Sequence, residues 1–464
     1  MINKKIPHIG TKLPGSKSKK LIIKDENYVS QSYTRAYPTV IDHAKGVYIY
    51  DVDGNAFIDF HAGIGVCCTG NCHPEVVAAI KKQAEKAIHI ASADFYHPLV
   101  GNLAEKLAKI TPGSKEKRVF FTNSGTEAVE AALKLARYNK KKPRMIAFIG
   151  AFHGRTMGAL SLTCSKINQR RYFAPMLPEV THVPYAYCYR CPFNLEYGKC
   201  DMACVKFIDE VVLQKVAPAE DVAAIFVEPI QGEGGYIVPP KEFHPMLKKI
   251  AEKYDMYYVA DEVQSGMGRT GKMFAIEHWG VVPDIVTVSK ALASGLPLGA
   301  CIAPKKLMSW VPGAHSTTFG GNPIACAASL KTIELLEKGL MKNAEKMGKF
   351  IMSRLQKMWE KYDIIGDVRG KGLMIGIEFV KDKKSKKPAG DYANEVEQEC
   401  FRNGLMVLTC GPNSVRFIPP LIIDEEIADR GLKIFEKVVK NVSGKKKKID
   451  REKSQLSIEK TYLL

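Results

Sequence analysis

The sequence predicts an α/β fold: a mostly parallel sheet covered by helices on both faces. Three observations carry that expectation. From about residue 61 to residue 320, short apolar runs alternate with helix-periodic stretches, the pattern of strand–helix–strand units. Ile285, Val286, Thr287 and Val288 form a β-branched run of strand length, which reads as a strand buried on both faces. Tyr257 to Asp261 (YYVAD) is a second short apolar run, and it ends on a carboxylate. Residues 61–324 are expected to form this large domain. Residues 1–60 (an arm and a hairpin) and 325–443 should form a smaller α+β domain beside it, with 444–464 as a basic tail.

The elements follow in chain order. Residues 1–30 are polar and lysine-rich and read as a loosely attached arm. Val47 to Phe60 alternates around Asp53-Gly54, a hairpin signal. Pro74 opens a helix with Val76, Val77, Ile80 and Ala84 on one face. Val119 to Thr122 is a strand, and Ser124-Gly125-Thr126 starts a helix whose Val129, Leu133 and Ala136 face the core. Met145 to Gly150 and Ala223 to Glu228 are further strands. Pro323 sits near a helix start, and Met341 to Tyr362 is a long amphipathic helix. Leu373 to Val380 reads as a strand and Asp391 to Asn403 as a helix closed by Gly404. Asp424 caps the last helix.

Composition narrows the function classes. At 464 residues the chain can bury large cores, and 46% of its residues are hydrophobic. The net charge of +19 (68 basic, 49 acidic) is spread over short lysine runs without interleaved aromatics, so no nucleic-acid partner is expected. The N-terminus MINKKIPHIG shows no apolar signal segment, and no run of 18 apolar residues implies a membrane span. Twelve cysteines without a secretory signal point to a reducing cytoplasm.

The chemistry gathers at strand ends. Lys290 follows the Ile285–Val288 run and enters small, turn-forming residues. Burial lowers a lysine's pKa from about 10.4, and a neutral amine can form a Schiff base with an aldehyde. Asp261 ends its own strand 29 positions upstream, and ligands of open α/β sheets sit beyond such ends. A carboxylate for a pyridinium nitrogen and a lysine for an aldehyde are the two anchors of pyridoxal 5'-phosphate. Ser124, Gly125 and Thr126 add a helix N-terminus suited to a phosphate.

At these residues the chain resembles the class III aminotransferases, the 4-aminobutyrate and ornithine aminotransferase group of fold type I. DEVQSGMGRTG (261–271) and SKALASGLPLGA (289–300) look like that family's two signature blocks, and the resemblance runs from about Gln31 to Lys440. It implies a seven-stranded-type central sheet, a pyridoxal phosphate cofactor and small amino and oxo acids as substrates. It also implies a homodimer or an assembly of dimers. Residue by residue, it implies that Gly125 and Thr126 hold the cofactor phosphate. Phe152 and Val263 would clamp the ring, Gln264 would bond its 3-hydroxyl side, and Glu228 would tune Asp261. Thr318 would reach the neighbouring subunit's cofactor phosphate. Arg369 would bind a substrate α-carboxylate, Arg155 a distal one, and Glu233 would neutralise Arg369 when no carboxylate is present. The expected activity is transfer of an amino group from an ω-amino or amino acid donor, such as 4-aminobutyrate or ornithine, to 2-oxoglutarate. The alternative is an amino-acid racemase of the same family.

Two motifs compete with these. Gly266, Gly268 and Gly271 spell G-x-G-x-x-G, but no long amphipathic helix follows, so the segment reads as a loop passing near the cofactor. Cys188, Cys191, Cys200 and Cys204 have spacing that could give a structural zinc site; free thiols and disulfides are the other readings.

Overall fold

The structure, a computed structural model, describes residues 6–461, with side chains as far as residue 445. Seven strands form the central sheet: β1 (Lys117–Thr122), β2 (Arg144–Phe148), β3 (Val180–Val183), β4 (Val222–Val227), β5 (Tyr257–Asp261), β6 (Ile285–Val288) and β7 (Gly299–Pro304). Their order is β1-β7-β6-β5-β4-β2-β3. Only β7 runs antiparallel to its neighbours; the other pairs are parallel. Every residue of β4 and β6 is buried, which is why these runs are apolar without alternation. Parallel strands share one carboxyl edge. The ends of β2, β4, β5 and β6 therefore deliver Phe152, Glu228, Asp261 and Lys290 to the same side of the sheet.

The helix Gly125–Lys140 returns the chain from β1 to β2. Ser124 caps it, its Oγ accepting from the Glu127 N–H at 3.4 Å. Seven of its residues are buried rather than one stripe, because the helix Met157–Leu162 covers part of the side turned away from the sheet.

The two ends of the chain meet in one small sheet. The hairpin of Tyr48–Asp51 and Ala56–Asp59 turns through Gly54 at φ +88°, and Ala56–Asp59 pairs in parallel with Leu405–Met406. A second small sheet holds Ile365–Lys371, Met374–Phe379, Ser414–Phe417 and Leu408–Cys410. The arm is better anchored than its composition suggests. Ile6 is buried, His8 bridges to Ala56, and the Asp53 carboxylate accepts from the N–H groups of Lys17 and Ser18 at 2.8 and 2.9 Å. Residues 1–5 and 462–464 of the expected arm and tail lie outside the described residues. The remainder of the expected tail continues a helix that runs from Glu425 to Thr461. Its lysines, glutamates and leucines favour helix even without a repeating apolar face. Among the described residues, no helix is long and apolar enough to cross a membrane.

Candidate active site

Lys290 follows β6 in a left-handed conformation, φ +42°, at the start of a single helical turn. Burial lowers its pKa below the usual lysine value, while the carboxylates of Asp261 and Glu228 pull the other way. Arg416 lowers it further and Glu233 opposes that, so the amine feels four charged groups.

Asp261 is buried at the end of β5. Its Oδ1 accepts from the Val263 N–H at 3.0 Å and from Thr287 Oγ1 at 3.1 Å. Its Oδ2 lies 2.7 Å from His153 Nδ1. Burial works against a charged His153, but Asp261 and Glu228 outweigh it and hold the imidazole above its ordinary value. Glu228 joins two loops: it accepts from Phe152 N and Gly232 N, both at 3.1 Å. Burial raises its pKa to about 7, with Asp261 adding to the rise and His153 opposing it.

Several of the remaining expected residues pack against one another. Val263 packs so tightly on Gly125 that a Cβ there would stand 2.7 Å from Val263 Cγ1. Gln264 lies equally close to Gly232, and its Oε1 is buried without a partner. Thr126 Oγ1 meets Thr156 Oγ1 at 2.8 Å and crosses Gly154, where a side chain would collide with it. Ser124, Gly125 and Thr126 thus bring a helix N-terminus, whose first N–H groups lack intrahelical acceptors, beside the Phe152 loop. Arg155 is exposed, with its guanidinium 5.6 Å from the centre of the Phe152 ring; among the described residues it has no ion pair.

Three expectations need correcting. Glu233 does not pair with Arg369. Its Oε2 lies 3.2 Å from Arg416 Nη2, and its Oε1 lies 2.6 Å from Lys166 Nζ. Arg369 instead spends its guanidinium on the protein: on Asp367 at 2.8 Å and Glu378 at 2.6 Å, and on the carbonyls of Tyr236 and Gly235 at 3.1 and 2.6 Å. A contact to Ser414 Oγ at 3.3 Å completes the set. The glycine-rich loop after Asp261 does not run beside the site beyond Gly266. A Cβ on Gly268 would meet Leu336 and one on Gly271 would meet Glu345, so these glycines serve packing against the helical segment 336–361. Cys188, Cys191, Cys200 and Cys204 line one small cavity as free thiols. Among the described residues, however, no three His, Cys, Asp or Glu side chains are placed to hold a metal.

Thr318 is exposed, and its neighbour Thr317 accepts from Asn123 Nδ2 at 3.2 Å. Three residues of the site escaped the sequence reading. His153 follows Phe152 directly and was not singled out. Lys166 lies in no motif of the sequence. Arg416 carried the clearest signal: an arginine in the short apolar strand Ser414–Phe417, all of it buried.

The donor set fits pyridoxal phosphate. It holds a lysine whose burial favours the neutral amine, a buried carboxylate backed by histidine, an unpartnered amide oxygen and a helix N-terminus. Comparison with known proteins agrees. The profile of the family Aminotransferase class-III matches residues 28–439. A leucine/methionine racemase of Thermococcus litoralis is 42% identical over 409 residues, covering 87% of this chain and 91% of its own. A probable 4-aminobutyrate aminotransferase of Bacillus subtilis is 39% identical, covering 89% and 95%. A thermostable (S)-enantioselective omega-transaminase from Thermomicrobium roseum superposes with a TM-score of 0.85 at 30% identity, covering 91% of this chain and 98% of its own. The chain belongs to the class III aminotransferases, a family of pyridoxal-phosphate-dependent enzymes.

Proposed function

We infer that the protein is an ω-aminotransferase that moves an amino group from a donor such as 4-aminobutyrate or ornithine to 2-oxoglutarate. The observation that carries this reading is the ion pair of Glu233 and Arg416 beside Lys290. A donor that reacts at a terminal amine presents no carboxylate next to the reacting carbon, and Glu233 then neutralises Arg416. 2-Oxoglutarate does present one, and Arg416 is free to bind it once Glu233 moves aside. Arg416 takes the role first expected of Arg369, because the hydrogen bonds of Arg369 are already taken by the protein. Exposed Arg155 supplies the second cation, for the distal carboxylate.

Bound pyridoxal phosphate supplies an aldehyde and an electron-accepting ring. Lys290 would hold the aldehyde and, once released, would carry a proton to and from the substrate carbon. Asp261, steadied by His153 and Thr287, would keep the ring nitrogen protonated. Phe152 and Val263 would flank the ring, Gln264 would bond its hydroxyl, and Ser124, Gly125 and Thr126 would take the phosphate. Glu228 would set the charge on Asp261 while fixing the Phe152 loop.

The working unit is a dimer or an assembly of dimers, in which Thr318 completes the partner's phosphate site. Exposed Ile88, Phe95, Tyr96 and Phe319 support this. The His89 ring lies tilted against Phe319, centroids 5.0 Å apart, and Asn322 Nδ2 donates to the Ile88 carbonyl at 2.9 Å, so Ile88 and Phe319 lie on neighbouring segments.

The racemase reading has support from the Thermococcus relative. Racemisation needs proton delivery to both faces of the substrate carbon, and Glu233, one acid that could share in it, is already committed to two cations. Incubating L-amino acids, ornithine and 4-aminobutyrate with and without 2-oxoglutarate tests the choice. Glutamate formation supports transfer; D-amino acids appearing without an acceptor, and no glutamate with one, refute it.

A further inference from the structure

We propose that Lys166 is a specificity-determining catch for Glu233: it holds the glutamate when a substrate carboxylate takes Arg416. The inference rests on the amino-transfer reading of the site and goes beyond it by naming where the displaced carboxylate goes.

Three observations carry it. First, Glu233 is already divided between two cations, Oε1 on Lys166 and Oε2 on Arg416. The contact to Lys166 is the shorter, 2.6 Å against 3.2 Å. Secondly, Arg416 is not satisfied by this arrangement. Its side chain is 4% exposed, and its Nε and Nη1 are buried without partners. A planar carboxylate gripping that guanidinium with two prongs uses Nη2 together with Nε or Nη1, so it takes one unpartnered donor and displaces Glu233 from Nη2. Thirdly, Lys166 lies on the solvent side of the glutamate, its side chain 39% exposed, on a long flexible stem. It can follow Glu233 outward, whereas buried Arg416 cannot move with it.

A carboxylate pushed off its only cation in a partly buried site is left uncompensated. A carboxylate that keeps one short ion pair loses only the longer one. Lys166 therefore eases binding of every ligand that needs Arg416, and matters less to one that leaves Glu233 in place. Lys166 acts through Glu233 and is a positioning residue, not a catalytic one.

The test is calorimetric titration of the holoenzyme with glutarate, a dicarboxylate that cannot react. In Lys166→Met the Kd for glutarate should rise at least about tenfold, and Lys166→Arg should recover most of that loss. A double-mutant cycle separates the catch from simple attraction of an anion by a lysine. In a Glu233→Gln background, Lys166→Met should change the Kd by less than about twofold. An unchanged Kd in Lys166→Met, no glutarate binding by the wild type, or the same loss in both backgrounds would overturn the proposal. Titration reads binding, not turnover. A protein that shows this cycle yet passes no amino group to 2-oxoglutarate would refute the proposed function and leave the catch supported.

Discussion

His153 Nδ1 and Asp261 Oδ2 stand 2.7 Å apart, and both side chains are sealed from solvent. Because the pair holds the imidazole above its ordinary value, it couples stability to pH. A basic group with a raised folded pKa binds its proton more tightly when folded. Its contribution is therefore full below about pH 6.5, the unfolded value, and fades as pH rises through the folded value. The thermal midpoint of wild type should exceed that of His153→Asn most at low pH, with the gap narrowing above neutrality. Midpoints measured across that range check it; a gap that widens with pH contradicts it.

Arg369 should matter for stability more than for binding. Glu378 is fully buried and shared among Arg369, Arg190 and the Tyr187 hydroxyl. Arg369→Met would leave that carboxylate short of a cation and free the Gly235 and Tyr236 carbonyls. The expected loss is about 3–5 kcal/mol, read from urea midpoints. Arg369→Lys should restore little of it, because an ammonium cannot reproduce the fork. A near-neutral Arg369→Met that instead raises KM for 2-oxoglutarate would return the α-carboxylate role to Arg369.

Glu233→Gln should shift preference between substrates. With Arg416 no longer neutralised, kcat/KM for glutamate should rise relative to that for 4-aminobutyrate by roughly tenfold or more. Half-reactions followed by the cofactor's absorbance give both numbers. An equal change for the two substrates would mean that Glu233 is not a switch.

Light scattering should report a dimer or larger. Mutating Phe319 and Tyr96 to charged residues should shift the enzyme towards monomer and weaken its hold on the cofactor, since Thr318 would then lack its partner's site. A fully active monomer contradicts this.

The parts of the site legible in the sequence were those fixed by local pattern. Lys290 and Asp261 stood out because each follows an apolar run, and a charge at the end of a buried strand has few places to go. The helix start at Ser124 was legible for a similar reason. What remained hidden depended on distant parts of the chain. Tyr187 meets Glu378 across 191 positions, and Glu233 meets Arg416 across 183. Arg369 and Arg416 lie in different small-domain strands, both near the Gly232–Tyr236 loop, so sequence alone could not decide which faced Glu233.

The central claim is that Lys290 runs an amino transfer to 2-oxoglutarate. The most direct measurement is glutamate formed from 4-aminobutyrate or ornithine and 2-oxoglutarate, by wild type and by Lys290→Ala, both loaded with pyridoxal phosphate. The account predicts glutamate accumulating with wild type and none above background with Lys290→Ala. Full activity in Lys290→Ala, or a wild type that scrambles the chirality of L-amino acids and makes no glutamate, would contradict it.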